Sequence, residues 1–314
     1  MRIATVEAAT VTDPTVLGRA SGATSSLPGG SSAGGPAGVL ADFMNPLAER
    51  AGHQGQGARF APPWSDAVWS LIGGRSDRPP VPCYANGFDV DGYRELGFEA
   101  FKLLCPWGPD LELAVAEVED LVGSTRNQIG ADAPLMLDCW AVNDADRAIE
   151  LGRALDPFDL GWLEDYLYPE DWPGYPRVRA ALTGAVLAAG ERWYTDRPFD
   201  RAVEEGWVDV VQPDVLWVGG ATPTIRIAAA AATAGTRLTV HCGANDAFSQ
   251  HLAYRLPGNE WAELYLGPEA PPGTFGSHRF TPGMALPVDG QLTPTAEPGF
   301  GIALTLDDLH RATS

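Results

Sequence analysis

Five short apolar runs along the chain each end in a polar residue that can bind a cation or a proton. The runs read LMLDCW, GWLEDYL, LAAGERW, VVQPDV and LTVHCG, and the polar residues are Asp138, Glu164, Glu191, Asp214 and His241. Their separations are 164−138 = 26, 191−164 = 27, 214−191 = 23 and 241−214 = 27 residues. One strand, one helix and two loops occupy about that length, so the pattern predicts repeated strand–helix units.

Repeats of this kind place the carboxyl ends of parallel strands at one end of a sheet. Other strand-like runs extend the pattern: VPCYANG and EAFKLLC come before the five, and EWAELYL follows them. Eight strands then fall within residues 81–310, or 310−81+1 = 230 residues, which suffices for a (β/α)8 barrel of about 250. We therefore expect an α/β fold with a TIM-like barrel and an active site where the strands end.

The composition limits the class of partner. Lys and Arg together number 21 against 41 Asp and Glu, which gives a formal charge of −20. Nucleic acid and anionic membranes both require a basic face, so neither is expected. No stretch approaches the roughly 20 apolar residues of a membrane span, and MRIATVEAATVTD is not a secretory signal. The cysteines form no C-x-x-C pair, which favours reduced core residues in a cytoplasmic protein over disulfides or a zinc site: Cys83, Cys105, Cys139 and Cys242.

The first part of the chain differs from the rest. Residues 2–12 alternate in the manner of one strand, and residues 17–38 are rich in Gly, Ser and Ala. The second stretch is either an inert linker or a flap that orders over a ligand, because it cannot bury much apolar surface. Apolar patches within 39–75 predict short helices. We predict an N-terminal region at 1–80 and a barrel domain at 81–314, whose tail returns across the structure.

Three acidic residues on consecutive predicted strands should face one another. Asp138, Glu164 and Glu191 would meet at the barrel mouth, where carboxylates repel each other unless a cation lies among them. Mg2+ prefers oxygen ligands and is the expected ion. The alternative is simple pairing with basic residues, but only Arg192 is close in sequence to these strand ends.

The next two strands pair an acid with a histidine. A carboxylate such as Asp214 fixes the tautomer of a neighbouring imidazole and raises its pKa, which suits a general base that later acts as an acid. A lone histidine is more often structural, but His241 follows a strand and lies one strand from an acid. The other histidines lack this setting and are interpreted as surface or packing residues: His53, His251, His278 and His310.

Two further residues are candidates for binding substrate. Lys102 lies inside the apolar run EAFKLLC, where it either points into the barrel mouth toward a substrate carboxylate or snorkels to the surface. Glu263 in EWAELYL would lie opposite Glu164, and if protonated it could donate a hydrogen bond to a substrate oxygen.

The candidate site residues follow one another in a characteristic order: Lys102, Asp138, Glu164, Glu191, Asp214, His241 and Glu263. They are accompanied by the strings AFKLLCPWGP, MLDCW, WLED, GERWYT, QPDVLWVGG and EPGFG, and by the short helix-like stretch FDVDGYREL. This order resembles the enolase superfamily, in its mandelate racemase-like branch. The strings are most similar to acid-sugar dehydratases of the L-rhamnonate dehydratase kind, over residues 66–303.

The resemblance implies a role for each residue. Mg2+ on the three carboxylates would bind the substrate carboxylate and stabilise the enediolate that forms when the α-proton leaves. His241, oriented by Asp214, would remove that proton, protonate the departing β-hydroxyl, or do both in turn. Lys102 would help to hold the substrate carboxylate. The implied reaction converts an aldonate or aldarate to a 2-keto-3-deoxy acid.

Two departures from the family pattern matter. Many racemases of this branch carry a second lysine two positions after the first, but here that position is Leu104, which favours elimination. The family's N-terminal α+β capping domain is longer than the 65 residues before DAVWSLIGG, so we expect a reduced cap. Alternatives are an epimerase or cycloisomerase that uses the same enediolate, and a non-catalytic homologue that binds an acid sugar. The resemblance also implies a homo-oligomer.

Overall fold

The computed structural model describes most of the predicted barrel domain, in these ranges: 67–72, 78–106, 115–141, 144–266 and 280–303. The predicted strand at 2–12 and the Gly/Ser-rich stretch lie outside the described residues, as do nearly all of the predicted capping region and three of the histidines. The expected reduced cap therefore stays a prediction, as does the division of the chain into two domains.

Eight parallel strands form the centre of the fold: β1 (Val81–Asn86), β2 (Phe101–Leu104), β3 (Leu135–Asp138), β4 (Leu163–Glu164), β5 (Leu187–Ala189), β6 (Val210–Val211), β7 (Arg237–Leu238) and β8 (Ala262–Tyr265). Their order in the sheet is β7-β6-β5-β4-β3-β2-β1-β8. A parallel bridge between Leu238 and Asn259 brings β7 beside the segment that leads into β8, so the curled sheet approaches closure. The predicted α/β fold with a (β/α)8 barrel is confirmed.

Helices connect the strands: α1 (Val68–Leu71), α2 (Val90–Glu95), α3 (Val115–Ile129), α4 (Ala145–Leu155), α5 (Gly174–Ala181), α6 (Arg197–Glu204), α7 (Ala221–Ala234) and α8 (Ala247–Arg255). Asp144 caps α4, since its carboxylate accepts a hydrogen bond from the amide of Arg147 at 2.9 Å. The Ala-rich α7 ends at Gly235, whose φ of +75° favours glycine. Among the helices in the described ranges, none has the length and apolar character needed to cross a membrane.

A small apolar cluster lies inside the sheet, below the strand ends: Tyr84, Ala100, Met136, Trp162, Ala188 and Val210. The rings of Tyr84 and Trp162 pack edge to face, with centroids 5.5 Å apart. Because side chains alternate along a strand, Asp138 and Glu164 share the inward face with the cluster residues two positions earlier. The cluster therefore separates the strand ends from the opposite end of the barrel.

The tail returns to the beginning of the barrel. A ninth strand, β9 (Gln291–Leu292), pairs antiparallel with β1 through Val81 and Leu292. Further along, Ala67 and Gly299 form a parallel bridge. These contacts fasten the segment 280–303 to both α1 and β1.

Candidate active site at the strand ends

Three buried carboxylates meet where β3, β4 and β5 end. Asp138 and Glu164 are the last residues of their strands and are partners in the register of the sheet. Glu191 follows the end of β5 by two residues. Their relative exposures are 2%, 0% and 7%, and one oxygen of each lies within 4.8 Å of the others. The structure thus brings together the three residues that spacing alone placed at one end of the barrel.

Gly190 makes the turn that carries Glu191. Its φ is +138°, and a Cβ built on it would lie 2.6 Å from a ring carbon of Phe199 and 3.1 Å from the amide nitrogen of Gln212. The second of these neighbours is backbone and cannot move aside without displacing β6. The position before a candidate metal ligand is therefore restricted to glycine.

The charges in this cluster are costly without a cation. Burial is the main cause that raises the pKa of Asp138 and of Glu164, each to about 7. Burial acts in the same direction on Glu191, but His241 and Arg192 outweigh it and lower the pKa of that carboxyl. Buried carboxylates that lie close together are difficult to ionise, so a bound positive ion stabilises their charged forms strongly. Three buried oxygen donors fit a hard divalent cation such as Mg2+.

Asp214 and His241 form a hydrogen-bonded pair that faces these carboxylates. Oδ2 of Asp214 lies 2.8 Å from Nδ1 of His241, and its Oδ1 accepts hydrogen bonds from two backbone amides that follow it. The other ring nitrogen, Nε2, lies 2.9 Å from Oε2 of Glu191. Burial lowers the pKa of His241, but the adjacent sulfur of Cys242 and the carboxylates raise it well above its ordinary value. The imidazole is thus oriented by Asp214 on one side and directs Nε2 at the carboxylate cluster on the other.

Lys102 is the only lysine in the chain, and every other residue among the 21 Lys and Arg is arginine. Its side chain is fully buried, ion-paired with Glu164, 2.8 Å from Glu263 and 4.0 Å from Asp138, so it does not snorkel to the surface. Burial opposes its charge, but the surrounding carboxylates raise its pKa well above the ordinary value. The use of one lysine in a chain that otherwise uses arginine indicates a specific role for a compact ammonium group. This signal comes from the composition and not from the spacing of the strands.

Glu263 on β8 lies beside the Lys102 ammonium and accepts hydrogen bonds through both of its carboxylate oxygens. Its Oε1 accepts from Nδ2 of Asn86 at 2.6 Å, and its Oε2 accepts from the amide of Cys242 at 3.0 Å. Burial raises the pKa of Glu263, but Lys102 and His241 outweigh it and lower the pKa overall. An ionised carboxylate cannot donate a hydrogen bond. The donor role that depended on a protonated Glu263 is therefore not favoured, because Lys102 and His241 stabilise its charged form.

A second ion-paired group was not expected from the sequence. Arg192 pairs with the buried Asp165 and, at 2.9 Å, with Oε1 of Glu191. Burial and then the charge of Glu191 raise the pKa of Asp165 to about 7. Simple charge pairing therefore accounts for part of the acidic cluster. The sequence did contain a hint of this pair, because Asp165 and Arg192 each directly follow a candidate metal ligand.

Two donors hold Glu164 in place. Nε1 of Trp162 and Nε2 of Gln212 each donate to its Oε2 at 2.7 Å. Both residues could have been found from the period of a strand, because Trp162 lies two residues before Glu164 and Gln212 two before Asp214. Among the described residues, Oε1 of Gln212 has no hydrogen-bond partner.

Comparisons with known proteins cover most of the described structure. Residues 89–309 match the enolase C-terminal domain-like family. L-rhamnonate dehydratase from Gibberella zeae is similar with a TM-score of 0.68 and 26% identity, over 79% of this chain and 63% of that one. A magnesium-bound racemase from Streptomyces coelicolor A3(2) gives a TM-score of 0.66 and 30% identity, over 79% and 67%. L-talarate/galactarate dehydratase from Salmonella typhimurium LT2, liganded with Mg and L-lyxarohydroxamate, gives 0.64 and 27%, over 78% and 61%.

The chain spans less than two thirds of the length of both dehydratases. The family match nevertheless takes in all of the strands that carry the candidate site except β1. The chain therefore belongs to the enolase superfamily, in its mandelate racemase-like branch.

Proposed function

We propose that the chain is a Mg2+-dependent dehydratase that converts an aldonate or aldarate to a 2-keto-3-deoxy acid. One observation carries the proposal: the Asp214–His241 pair faces the carboxylate cluster, with Nε2 2.9 Å from Glu191. A base held beside a cation site can remove the proton α to a carboxylate that is bound there. The dehydratases among the similar structures support this reaction class.

Each part of the site has a step in this reaction. The three carboxylates would hold Mg2+, which when bound lowers the cost of negative charge on the substrate carboxylate. The ammonium of Lys102 stabilises the same developing charge in a buried setting. The charge of Glu191 favours a protonated imidazole, so its neutralisation in the loaded site frees Nε2 of His241 to accept the α-proton. Asp214 then stabilises the imidazolium, whose proton leaves with the β-hydroxyl as water.

Elimination is favoured over racemisation because β2 supplies one cation and no second base. Leu104 occupies the position two residues after Lys102. Lys102 itself is enclosed by three carboxylates that keep its proton in place. One base that takes a proton and returns it to a leaving group on the same face suits the loss of a β-hydroxyl.

Incubation of the chain with a panel of aldonates and aldarates, with Mg2+ in D2O, tests this proposal. We expect a 2-keto-3-deoxy acid with deuterium at C3, detected by NMR. His241→Asn should abolish turnover and leave the Mg2+ affinity nearly unchanged by calorimetry. Glu191→Gln, which changes one candidate ligand, should lose the Mg2+ affinity and serves as the matched control.

The outcomes separate the alternatives. Deuterium at C2 without a keto product would favour an epimerase, a candidate supported by the racemase that is 30% identical. Mg2+ binding without turnover of any acid sugar would favour a non-catalytic homologue. A His241→Asn protein that lost its Mg2+ affinity would contradict the division of roles between the dyad and the carboxylates. Homo-oligomeric assembly belongs to the same proposal and is measured by sedimentation velocity.

A further inference from the structure

Cys242 has no role in the proposed reaction, yet it lies beside the proposed base. None of the four cysteines forms a disulfide, and the other three are buried as expected for core residues, but Cys242 is partly exposed. Its Sγ lies 3.5 Å from Nε2 of His241. Glu263 completes a group in which one ligand atom of each residue lies within 4.8 Å of the others.

The backbone holds Cys242 in an unusual conformation. Its φ is +51°, in the left-handed region that residues with a Cβ rarely adopt. Its amide donates to Oε2 of Glu263 at 3.0 Å, which fixes the turn. Strained residues of this kind persist where the surroundings determine them and cluster at functional sites.

The distance between the imidazole nitrogen and the thiol sulfur suits tetrahedral coordination of a soft ion. Zinc–nitrogen and zinc–sulfur bonds of about 2.0 and 2.3 Å place the two ligand atoms about 3.5 Å apart at the tetrahedral angle. The observed distance from Nε2 of His241 to Sγ of Cys242 is 3.5 Å, and Nε2 lies 3.8 Å from Oε2 of Glu263. Three protein ligands of nitrogen, sulfur and oxygen type leave a fourth position open.

Asp214 prepares the imidazole for a metal as well as for a proton. A metal-binding histidine usually donates its other ring N–H to a carboxylate, which fixes the tautomer and the orientation of the ring. Asp214 contacts Nδ1 at 2.8 Å, so that the neutral ring keeps its proton on Nδ1 and its lone pair on Nε2. The sequence did not predict this group, because its ligands come from β8 and from the loop after β7, not from a C-x-x-C pair.

We propose that His241, Cys242 and Glu263 bind one thiophilic divalent cation, of the class of Zn2+ and Cd2+, beside the oxygen-rich site for Mg2+. Ligand softness separates the two sites, because a thiolate selects soft ions whereas carboxylates alone suit Mg2+. An ion on Nε2 would block the base and inhibit turnover. That consequence, though not the binding itself, rests on the proposed function.

Titration of Cd2+ into the full chain, in excess Mg2+ and without substrate, tests the site through the ultraviolet absorption of the cadmium–thiolate bond. We expect the wild type to develop the band with one equivalent of Cd2+. Cys242→Ser should lose the band, and both it and His241→Asn should bind Cd2+ at least about 10-fold more weakly. Cys105→Ser, which removes a buried thiol beside Cys139, is the matched control and should keep both the band and the affinity.

Several outcomes would overturn the proposal. They are a wild type without the band, a band that survives Cys242→Ser, and a band lost in a folded Cys105→Ser. Unchanged affinity in His241→Asn would overturn it too, because the ion would then bind a lone thiol. Circular dichroism establishes that each variant is folded. Since no turnover is measured, a chain without dehydratase activity can still bind Cd2+ as expected.

Discussion

Replacing Lys102 by methionine removes the positive charge at the barrel mouth and little else. Methionine is also long and unbranched, so the packing against the apolar cluster below the site is largely retained. The change leaves three buried carboxylates without the ammonium that pairs with Glu164 and lies 2.8 Å from Glu263 and 4.0 Å from Asp138. The metal-free protein should therefore lose stability.

The size of this loss follows from the distances. Two unit charges 4 Å apart at an effective dielectric constant of about 20 interact by about 4 kcal/mol, so the longest contact, to Asp138, is already of that order. The relieved desolvation of the ammonium and the protonation of Asp138 and Glu164 offset part of the sum. Removal of one partner from a buried ion pair costs about 3–5 kcal/mol. For a domain of 150–250 residues, that corresponds to a fall in Tm of about 6–20 °C.

Thermal unfolding followed by circular dichroism, with EDTA and then with Mg2+, measures the effect. Arg177→Met is the matched control, because its partner Asp146 is at the surface and the two side chains are 55% and 79% exposed. Loss of this exposed ion pair should lower the free energy of unfolding by less than about 1 kcal/mol. Mg2+ should raise the Tm of Lys102→Met more than that of the wild type, because it neutralises the same carboxylates.

Two results would refute this reasoning. If Lys102→Met in EDTA melted within about 2 °C of the wild type, the ammonium would not be neutralising the cluster. If it lost stability that Mg2+ did not restore preferentially, the metal would not bind among these carboxylates. Because Lys102 is the only lysine, 15N-lysine labelling gives one side-chain ammonium signal, whose shift on addition of Mg2+ reports on the contact directly.

Three other changes have defined outcomes. Asp214→Asn should lower turnover about 10²–10⁴-fold with little effect on Mg2+ affinity by calorimetry, and an equal loss of both would contradict its orienting role. Because burial raises the pKa of Asp138 and Glu164 to about 7, the folded metal-free protein binds extra protons, so its stability should fall as pH rises from about 4 to 7. The gain in Tm from Mg2+ should accordingly be larger at pH 8 than at pH 6, and equal gains would count against this. Gly190→Ala should destabilise by more than about 2 kcal/mol, whereas Gly206→Ala, with φ +66° and open space around its Cβ, should cost about 1 kcal/mol by the same unfolding measurement.

The positions of the site residues along the chain could be predicted because a barrel converts sequence period into spatial order. Asp138 and Glu164 end consecutive apolar runs, and parallel pairing then makes them register partners. The same reasoning placed Asp214 and His241 on adjacent strands, and the structure brings their side chains to 2.8 Å. Spacing was sufficient here because each residue lies at the end of its own strand or within three residues of it.

The pairing of charges could not be predicted, because it depends on closure of the barrel. Lys102 on β2 meets Glu263 on β8 only because β1 lies between them in the sheet, although the two are 263−102 = 161 residues apart. That contact favours the charged form of Glu263, whereas the sequence alone left its protonation open. Arg192 likewise reaches Asp165 across β4 and β5. Sequence patterns specify where side chains emerge, whereas protonation depends on the distances between them.

Local neutralisation would allow a chain with a net charge of −20 to bind the anionic substrate of the proposed reaction. Six acidic side chains gather at the barrel mouth against three basic ones, which are Lys102, Arg192 and His241. Each basic side chain contacts at least one acid, so the group is compensated in part but still negative. A divalent cation would neutralise much of the remaining negative charge at the place where a substrate carboxylate would bind. Under the proposed function, the affinity for an acid sugar would therefore depend on the ion and on these three basic side chains, and the acidic surface would not prevent it.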